Sequence, residues 1–211
     1  MEMKILFLDI DGVLCTEECS KKPYHPVFFY PFHIDCVNIF NHILLETNAE
    51  IVITSDWRKH LEFDLNRIDQ LFKFNGVNKS PIDYTPDFGS NRNKEITSYI
   101  YKHKIKKFVI IDDMPLKVNS LRFVRTNLND ALIEDGVSEK IISNLNMDQS
   151  KICTCLNCDL EFHATTDNYA CSVKCRNELE IMKSKHLPIA SDEEIYEFIM
   201  HNKVSYYYLN H

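Results

Sequence analysis

Residues 5–14, ILFLDIDGVL, determine how the N-terminal part of the chain folds. A run of large apolar side chains, typical of a buried strand, ends at Asp9, and Asp11 and Gly12 follow in a predicted turn. Burying a charge is costly unless a partner stabilises it. Two carboxylates at the end of a buried strand therefore indicate a bound cation or a chemical role.

Other apolar runs along the chain also end in polar residues, and segments with helical spacing of apolar residues lie between them. The predicted strands are 4–9, 51–54, 106–113 and 121–126, and the predicted helices are 34–47, 94–103, 137–145 and 191–201. Strands that alternate with helices indicate an α/β domain with a parallel sheet. We place this domain at residues 1–149.

The polar residues that follow the predicted strands are expected to gather at one edge of the sheet. Ligands of open parallel sheets bind in the crevice outside the carboxyl ends of the strands. So much negative charge in one crevice is best stabilised by a hard cation, and carboxylate oxygens suit Mg²⁺. The predicted magnesium ligands are Asp9, Asp11, Asp112 and Asp113.

Magnesium often accompanies phosphate, and phosphoryl transfer needs a nucleophile, a proton donor and positive charge around the phosphoryl oxygens. Asp9 is the candidate nucleophile, which would form an aspartyl-phosphate. Asp11 is the candidate general acid, which would protonate the leaving alkoxide and then activate water. Thr54 would donate a hydrogen bond to the phosphoryl group, and Lys94 would neutralise the nucleophile and the phosphate together.

The spacing leaves three positions of this site open. The alternatives are Ser55 in place of Thr54, Arg92 in place of Lys94, and Asp113 in place of Asp112 or beside it. Two nearby residues are kept outside the site. Trp57 is expected to pack in the protein interior rather than to stack on a base. Arg58 could equally well contact a phosphate or be a surface charge.

These residues resemble the motifs of the haloacid dehalogenase (HAD) superfamily of phosphohydrolases. DIDGV (9–13) is similar to the first motif, the end of IVIT (51–54) to the second, Lys94 to the third and IIDD (110–113) to the fourth. The resemblance covers roughly residues 1–147 and is closest to the compact HAD domain of nucleic-acid repair proteins. It implies a Rossmann-like fold, Mg²⁺ dependence and an aspartyl-phosphate intermediate.

The same resemblance bears on the substrate. HAD enzymes that act on small metabolites often carry a cap domain, but intervals 15–50 and 56–93 are mostly taken up by a helix and loops. An open site implies a bulky phosphorylated substrate, either a nucleic-acid end or a phosphoprotein. A protein phosphatase is thus one alternative, and a catalytically silent platform that recruits a partner is another.

Composition excludes some classes of protein. The formal charge of −7 excludes a broadly basic nucleic-acid-binding domain, so a polyanion would have to bind at a local group of basic residues. No apolar run approaches the roughly 20 residues that span a bilayer, so we expect a protein that does not bind membranes and is intracellular, in the cytoplasm or the nucleus. The sequence leaves the oligomeric state open.

A cysteine cluster marks a second predicted module at residues 150–211. Cys155 and Cys158 form one close pair, and Cys171 and Cys175 form another after 12 intervening residues. Four thiolates in two close pairs are typical of a structural Zn²⁺ site. We therefore predict a small zinc finger, similar to treble-clef or ribbon fingers, whose folding depends on the metal.

Overall fold

The fold is that of a computed structural model, which describes residues 3–89, 91–116, 118, 121–147, 149, 152–154 and 161–163. The chain divides into two compact units, Met1–Ser150 and Lys151–His211. The first unit holds every predicted residue of the phosphatase site.

The first unit contains a five-stranded, all-parallel sheet with the order β3-β2-β1-β4-β5. Its strands are β1 (Lys4–Leu8), β2 (Glu50–Ile53), β3 (Asp83–Tyr84), β4 (Lys107–Asp112) and β5 (Phe123–Arg125). Its helices are α1 (Ile34–Thr47), α2 (Trp57–His60), α3 (Leu65–Phe74), α4 (Arg92–His103) and α5 (Val137–Asn146). The predicted α/β fold with a Rossmann-like parallel sheet is confirmed.

Helices cover both faces of the sheet, and the alternation of side chains along β1 shows how. Leu6 and Leu8 point into one buried cluster together with apolar residues of α1, α3 and α5. Ile5 and Phe7 point into a second cluster, to which α4 contributes Ile96. Because both faces of β1 are buried, its apolar run is continuous rather than alternating. This burial fixes the position of the residues that follow the strand.

Two helices and one strand lie in the interval 56–93, which the sequence analysis assigned mostly to loops. Helix α3 begins after Asp64, whose side chain accepts hydrogen bonds from the amides of Asn66 and Arg67. Strand β3 pairs with the end of β2 and extends the sheet at one edge. The remaining strands and α-helices of the first unit begin and end within two residues of the predicted bounds, and two short 3₁₀ helices, Glu17–Lys21 and Ala131–Ile133, were not predicted.

The described part of the second unit is a two-stranded antiparallel pair, β6 (Ile152–Thr154) and β7 (Glu161–His163). The four cysteines of the predicted zinc site and the predicted helix 191–201 lie outside the described residues. The zinc finger therefore stays a prediction. Among the described residues, no helix is long and apolar enough to cross a membrane.

Candidate active site at the carboxyl edge of the sheet

The pairing of β1 with β4 brings the acidic residues together. Leu8 lies beside Ile111, and the amide of Asp9 donates to the carbonyl of Ile111 at 3.0 Å. Asp9 therefore follows its strand at the level where β4 ends in Asp112. The sheet itself positions these two carboxylates at one edge.

Three carboxylates form a compact group at this edge. One oxygen from each of Asp9, Asp112 and Asp113 lies within 4.8 Å of the other two. Asp9 and Asp112 are buried, and Asp113 is half-buried. Burial, followed by repulsion from Asp9, raises the pKa of Asp112 to about 7, and the same two causes raise the pKa of Asp113. Crowded oxygen ligands of this kind fit Mg²⁺, whose charge would relieve the repulsion.

Arg92 supplies the positive charge inside this group. Its Nη1 lies 2.5 Å from Asp112 Oδ2 and 3.4 Å from Asp9 Oδ2, and it donates to Thr54 Oγ1 at 3.2 Å. Burial acts to lower the pKa of Arg92, but the charges of Asp9 and Asp112 outweigh it and raise that pKa. One guanidinium thus links the ends of three strands.

Lys94 does not take the place predicted for it. Its side chain is exposed, and its ammonium lies over the ring of Phe88, 4.8 Å from the ring centre. Asn91 caps α4, so that Arg92 is the first helical residue and shares the buried face with Ile96. Lys94, two positions along, points away from that face. The structure therefore places Arg92, the alternative, beside the carboxylates.

Asp11 is not among the three carboxylates that lie within 4.8 Å of one another, so its place among the magnesium ligands stays a prediction. Its Oδ2 accepts a hydrogen bond of 2.8 Å from the indole Nε1 of Trp57, which fixes the orientation of the side chain. Asp11 is exposed as a whole residue. Partial desolvation of its carboxyl group raises the pKa of Asp11, the Trp57 hydrogen bond lowers it, and the charges of Asp9 and Asp113 raise it further. A raised pKa suits a general acid.

Gly12 permits the close approach of the first motif to the fourth. Its φ of +67° lies in the left-handed region, and a Cβ atom added there would lie only 2.6 Å from Asp113 Cβ. Both observations require glycine at this position. The glycine after Asp11 is thus what lets Asp113 reach the group.

Comparison with known proteins agrees with this geometry. Residues 5–137, more than half of the chain, match the family described as the HAD domain in Swiss Army Knife RNA repair proteins. The chain belongs to this HAD family. No curated protein and no solved structure matches it.

The second motif of this HAD domain contributes two buried hydroxyl residues with different contacts. Thr54 accepts from Arg92 and so faces the acidic group. The hydroxyl of Ser55 instead accepts from the amide of Trp57 at 3.4 Å. Of the two alternatives, Thr54 is the one in contact with the site.

Arg58 is neither a phosphate contact nor a surface charge in this HAD domain. It is fully buried, and its Nη2 donates to Glu95 Oε2 at 2.8 Å. Its guanidinium also donates to backbone carbonyls of Thr54, Ser55 and Thr85. Arg58 therefore fastens the end of β2 to α4, a scaffold role that the sequence analysis missed. The large distance along the chain between Arg58 and Glu95 left no local signal for it.

An open cleft of about 450 Å³ adjoins the acidic group of the HAD domain. It is lined by Asp113, Arg125, Thr126, Asn127, Leu128 and Glu134. Arg125 is exposed, and its Nε donates to the backbone carbonyl of Asp113 at 2.9 Å. The cleft offers space and one positive charge for a substrate beside the carboxylates.

Proposed function

We propose that this HAD domain is a Mg²⁺-dependent phosphohydrolase that removes phosphate from nucleic-acid ends through an aspartyl-phosphate at Asp9. The observation that carries the proposal is the group of Asp9, Asp112 and Asp113 around Arg92 at one edge of the sheet. The carboxylates lie at the ends of two separate strands and the guanidinium comes from α4, yet all of them meet at this edge. Each of these charges would be costly to bury alone. This convergence argues for a chemical role rather than a silent platform.

Asp9 is oriented to act as the nucleophile. Its Oδ1 accepts from the amide of Ile10 at 2.9 Å, which fixes the carboxylate, while Oδ2 faces Arg92. In the first step an Asp9 oxygen bonds to phosphorus and the bond between phosphorus and the leaving oxygen breaks. The proton of Asp11 passes to that oxygen.

The second step regenerates the enzyme. Asp11, now a carboxylate, takes a proton from water, and the water oxygen bonds to phosphorus. The bond between phosphorus and Asp9 breaks, which releases inorganic phosphate and the free carboxylate. Trp57 holds Asp11 through both steps by its indole hydrogen bond.

Two basic or polar groups would contact the phosphoryl group. Arg92 would offset its negative charge and that of Asp9, and the Thr54 hydroxyl would donate to a phosphoryl oxygen. Asp9, Asp112 and Asp113 would hold Mg²⁺, which supplies charge neutralisation and orientation of the phosphate when bound.

The family match also supports a class of substrate. The matched family is described by its place in RNA repair proteins, which supports a phosphorylated nucleic-acid end as substrate. The open cleft beside Asp113 is compatible with a bulky substrate.

A substrate panel tests this proposal. RNA oligonucleotides with a 5′- or a 3′-phosphate are compared with phosphopeptides, with Mg²⁺ and with EDTA, for the wild type and Asp9→Asn. We expect Mg²⁺-dependent release of phosphate from oligonucleotides by the wild type alone. Hydrolysis of phosphopeptides alone would support the protein-phosphatase alternative and overturn the nucleic-acid assignment.

A further inference from the structure

One segment of the chain combines aromatic and basic residues without any acid. Between Glu18 and Asp35 there is no carboxylate, although the protein carries a formal charge of −7. The segment begins with Lys21 and Lys22. It continues with Tyr24, His25, Phe28, Phe29, Tyr30, Phe32 and His33. The catalytic assignments use none of these residues.

A tight turn presents the rings of this segment. The backbones of His25 and Phe29 exchange two hydrogen bonds, of 2.7 and 2.8 Å, and His25 Nδ1 accepts from the amides of Val27 and Phe28. These contacts close the turn upon itself. The turn residues 24–30 together with Phe74 of α3 are called the aromatic lip below.

The aromatic lip has a stacked part. The His25 and Phe28 rings are 5.1 Å apart and 16° from parallel, and the Phe28 and Phe74 rings are 4.7 Å apart and 27° from parallel. Phe74 nevertheless remains 54% exposed, and Tyr24, whose ring packs against those of Phe29 and Tyr30, remains 57% exposed. Packing alone explains the buried Phe32, but it leaves these two large exposed rings unexplained.

The aromatic lip is continuous with the active site. The Phe29 ring packs edge-on against Trp57, with the ring centres 5.3 Å apart. Trp57 in turn donates to Asp11, the candidate general acid. A single side chain, that of Trp57, therefore connects the lip to the carboxyl group that would protonate the leaving oxygen.

We propose that the aromatic lip binds the unpaired terminal bases of a single-stranded nucleic acid whose end phosphate lies at Asp9. The inference rests on the proposed function and adds to it the strandedness of the substrate and the surface that recognises it. Aromatic rings stack on any base, and neighbouring cations track the phosphate backbone. Lys21 and Lys22 supply such cations next to Tyr24 in the chain. Lys21 shares a cleft with Glu17 and Glu18, which leaves Lys22 as the cation outside that cleft.

The test separates recognition of the bases from recognition of the phosphates. Tyr24→Ala and Phe74→Ala are compared with Tyr101→Ala, a matched control that is also 57% exposed but lies on α4. Each variant is titrated with a fluorescent single-stranded oligonucleotide bearing a terminal phosphate and with an abasic strand of equal length. Binding is followed by anisotropy, which needs no turnover, and p-nitrophenyl phosphate turnover is measured in parallel.

We expect Tyr24→Ala and Phe74→Ala each to weaken binding of the base-containing strand roughly 5- to 20-fold. Binding of the abasic strand and p-nitrophenyl phosphate turnover should stay at the wild-type level, and Tyr101→Ala should change none of the three. Equal binding of both strands by the wild type, or equal weakening for both strands in the lip variants, would overturn the lip proposal. Loss of the proposed function would show instead as p-nitrophenyl phosphate turnover that does not depend on Asp9.

Discussion

Arg58 and Glu95 form an ion pair of 2.8 Å from which solvent is excluded on both sides. The pair connects α2 to α4, the helix that carries Arg92. Glu95 also accepts from the amide of Phe88 at 3.0 Å, so the loop before α4 is fixed by the same carboxylate. The position of Arg92 beside the acids thus depends on a buried pair outside the site.

Glu95→Gln should destabilise the protein strongly, because it removes the buried counter-charge of Arg58 and leaves only the partly exposed Asp56, 3.4 Å away. We expect the free energy of unfolding to fall by about 3–5 kcal/mol. The matched control is Glu62→Gln, since Glu62 pairs with Arg67 at 3.2 Å but is largely exposed. That variant should lose less than about 1 kcal/mol. Chemical denaturation of both variants measures the difference, and equal losses would contradict the scaffold role.

Arg92→Gln should impair catalysis far more than Lys94→Gln. Arg92 contacts Asp9, Asp112 and Thr54, whereas Lys94 lies over Phe88. We expect kcat/KM to fall roughly a hundredfold to a thousandfold for Arg92→Gln and less than about fivefold for Lys94→Gln. Steady-state kinetics with p-nitrophenyl phosphate decide the matter. The reverse order would restore Lys94 to the site.

Gly12→Ala should abolish activity by displacing Asp113. The new Cβ would meet Asp113 Cβ at 2.6 Å, in addition to the strain of a left-handed backbone. Gly136→Ala is the control, because Gly136 has a φ of +80° but no atom within 4 Å of an added Cβ. Strain alone should cost Gly136→Ala about 1–2 kcal/mol while leaving activity intact. Phosphatase activity over a range of Mg²⁺ concentrations and the melting temperature are measured for both variants. Wild-type activity in Gly12→Ala would contradict the close approach of Gly12 to Asp113.

Trp57→Phe should shift the alkaline limb of the pH–rate profile to higher pH. Asp11 must be protonated to act as an acid, so activity falls as the pH rises through its pKa. The indole hydrogen bond favours the carboxylate form and lowers the pKa of Asp11. Removing the bond therefore raises that pKa and extends activity to higher pH. A limb that stays in place, measured as kcat/KM against pH, would show that Asp11 is not the acid.

The predicted zinc site has its own test. We expect one zinc ion per full-length chain by native mass spectrometry, and loss of that ion when Cys155 and Cys158 are both replaced by serine. Replacing Cys15 instead, which is buried and free in the first unit, should leave the zinc content unchanged. Retention of zinc by the double variant would rule out the predicted ligands.

The central strands were predictable because each is an apolar run that stops at polar residues. A strand that is buried on both faces needs consecutive apolar residues, which are visible in the sequence. Leu6 and Phe7 of β1, which point into opposite clusters, are an example. Strand β3 has only two residues, Asp83 and Tyr84, and exists through its pairing with β2. No local pattern marks such a strand. Helix α3 did carry signals, the cap Asp64 and the apolar stripe of Ile68 and Leu71.

The site was predictable in its carboxylates but not in all its partners. Asp9, Asp112 and Asp113 follow strands whose pairing brings them together. Helical periodicity could have favoured Arg92, which shares a face with Ile96, over Lys94. The hydrogen bond between Trp57 and Asp11 joins residues 46 positions apart and depends on tertiary packing, which no local spacing reveals.

The most direct test of the account is whether Asp9 itself takes up the phosphoryl group. The protein is mixed with p-nitrophenyl phosphate that carries radioactive phosphorus, denatured in acid, and assayed for bound label before and after hydroxylamine, which cleaves acyl phosphates. We predict hydroxylamine-sensitive label on the wild type, more of it on Asp11→Asn, and none on Asp9→Asn. Label of equal amount on Asp9→Asn, or full turnover by that variant, would contradict the account.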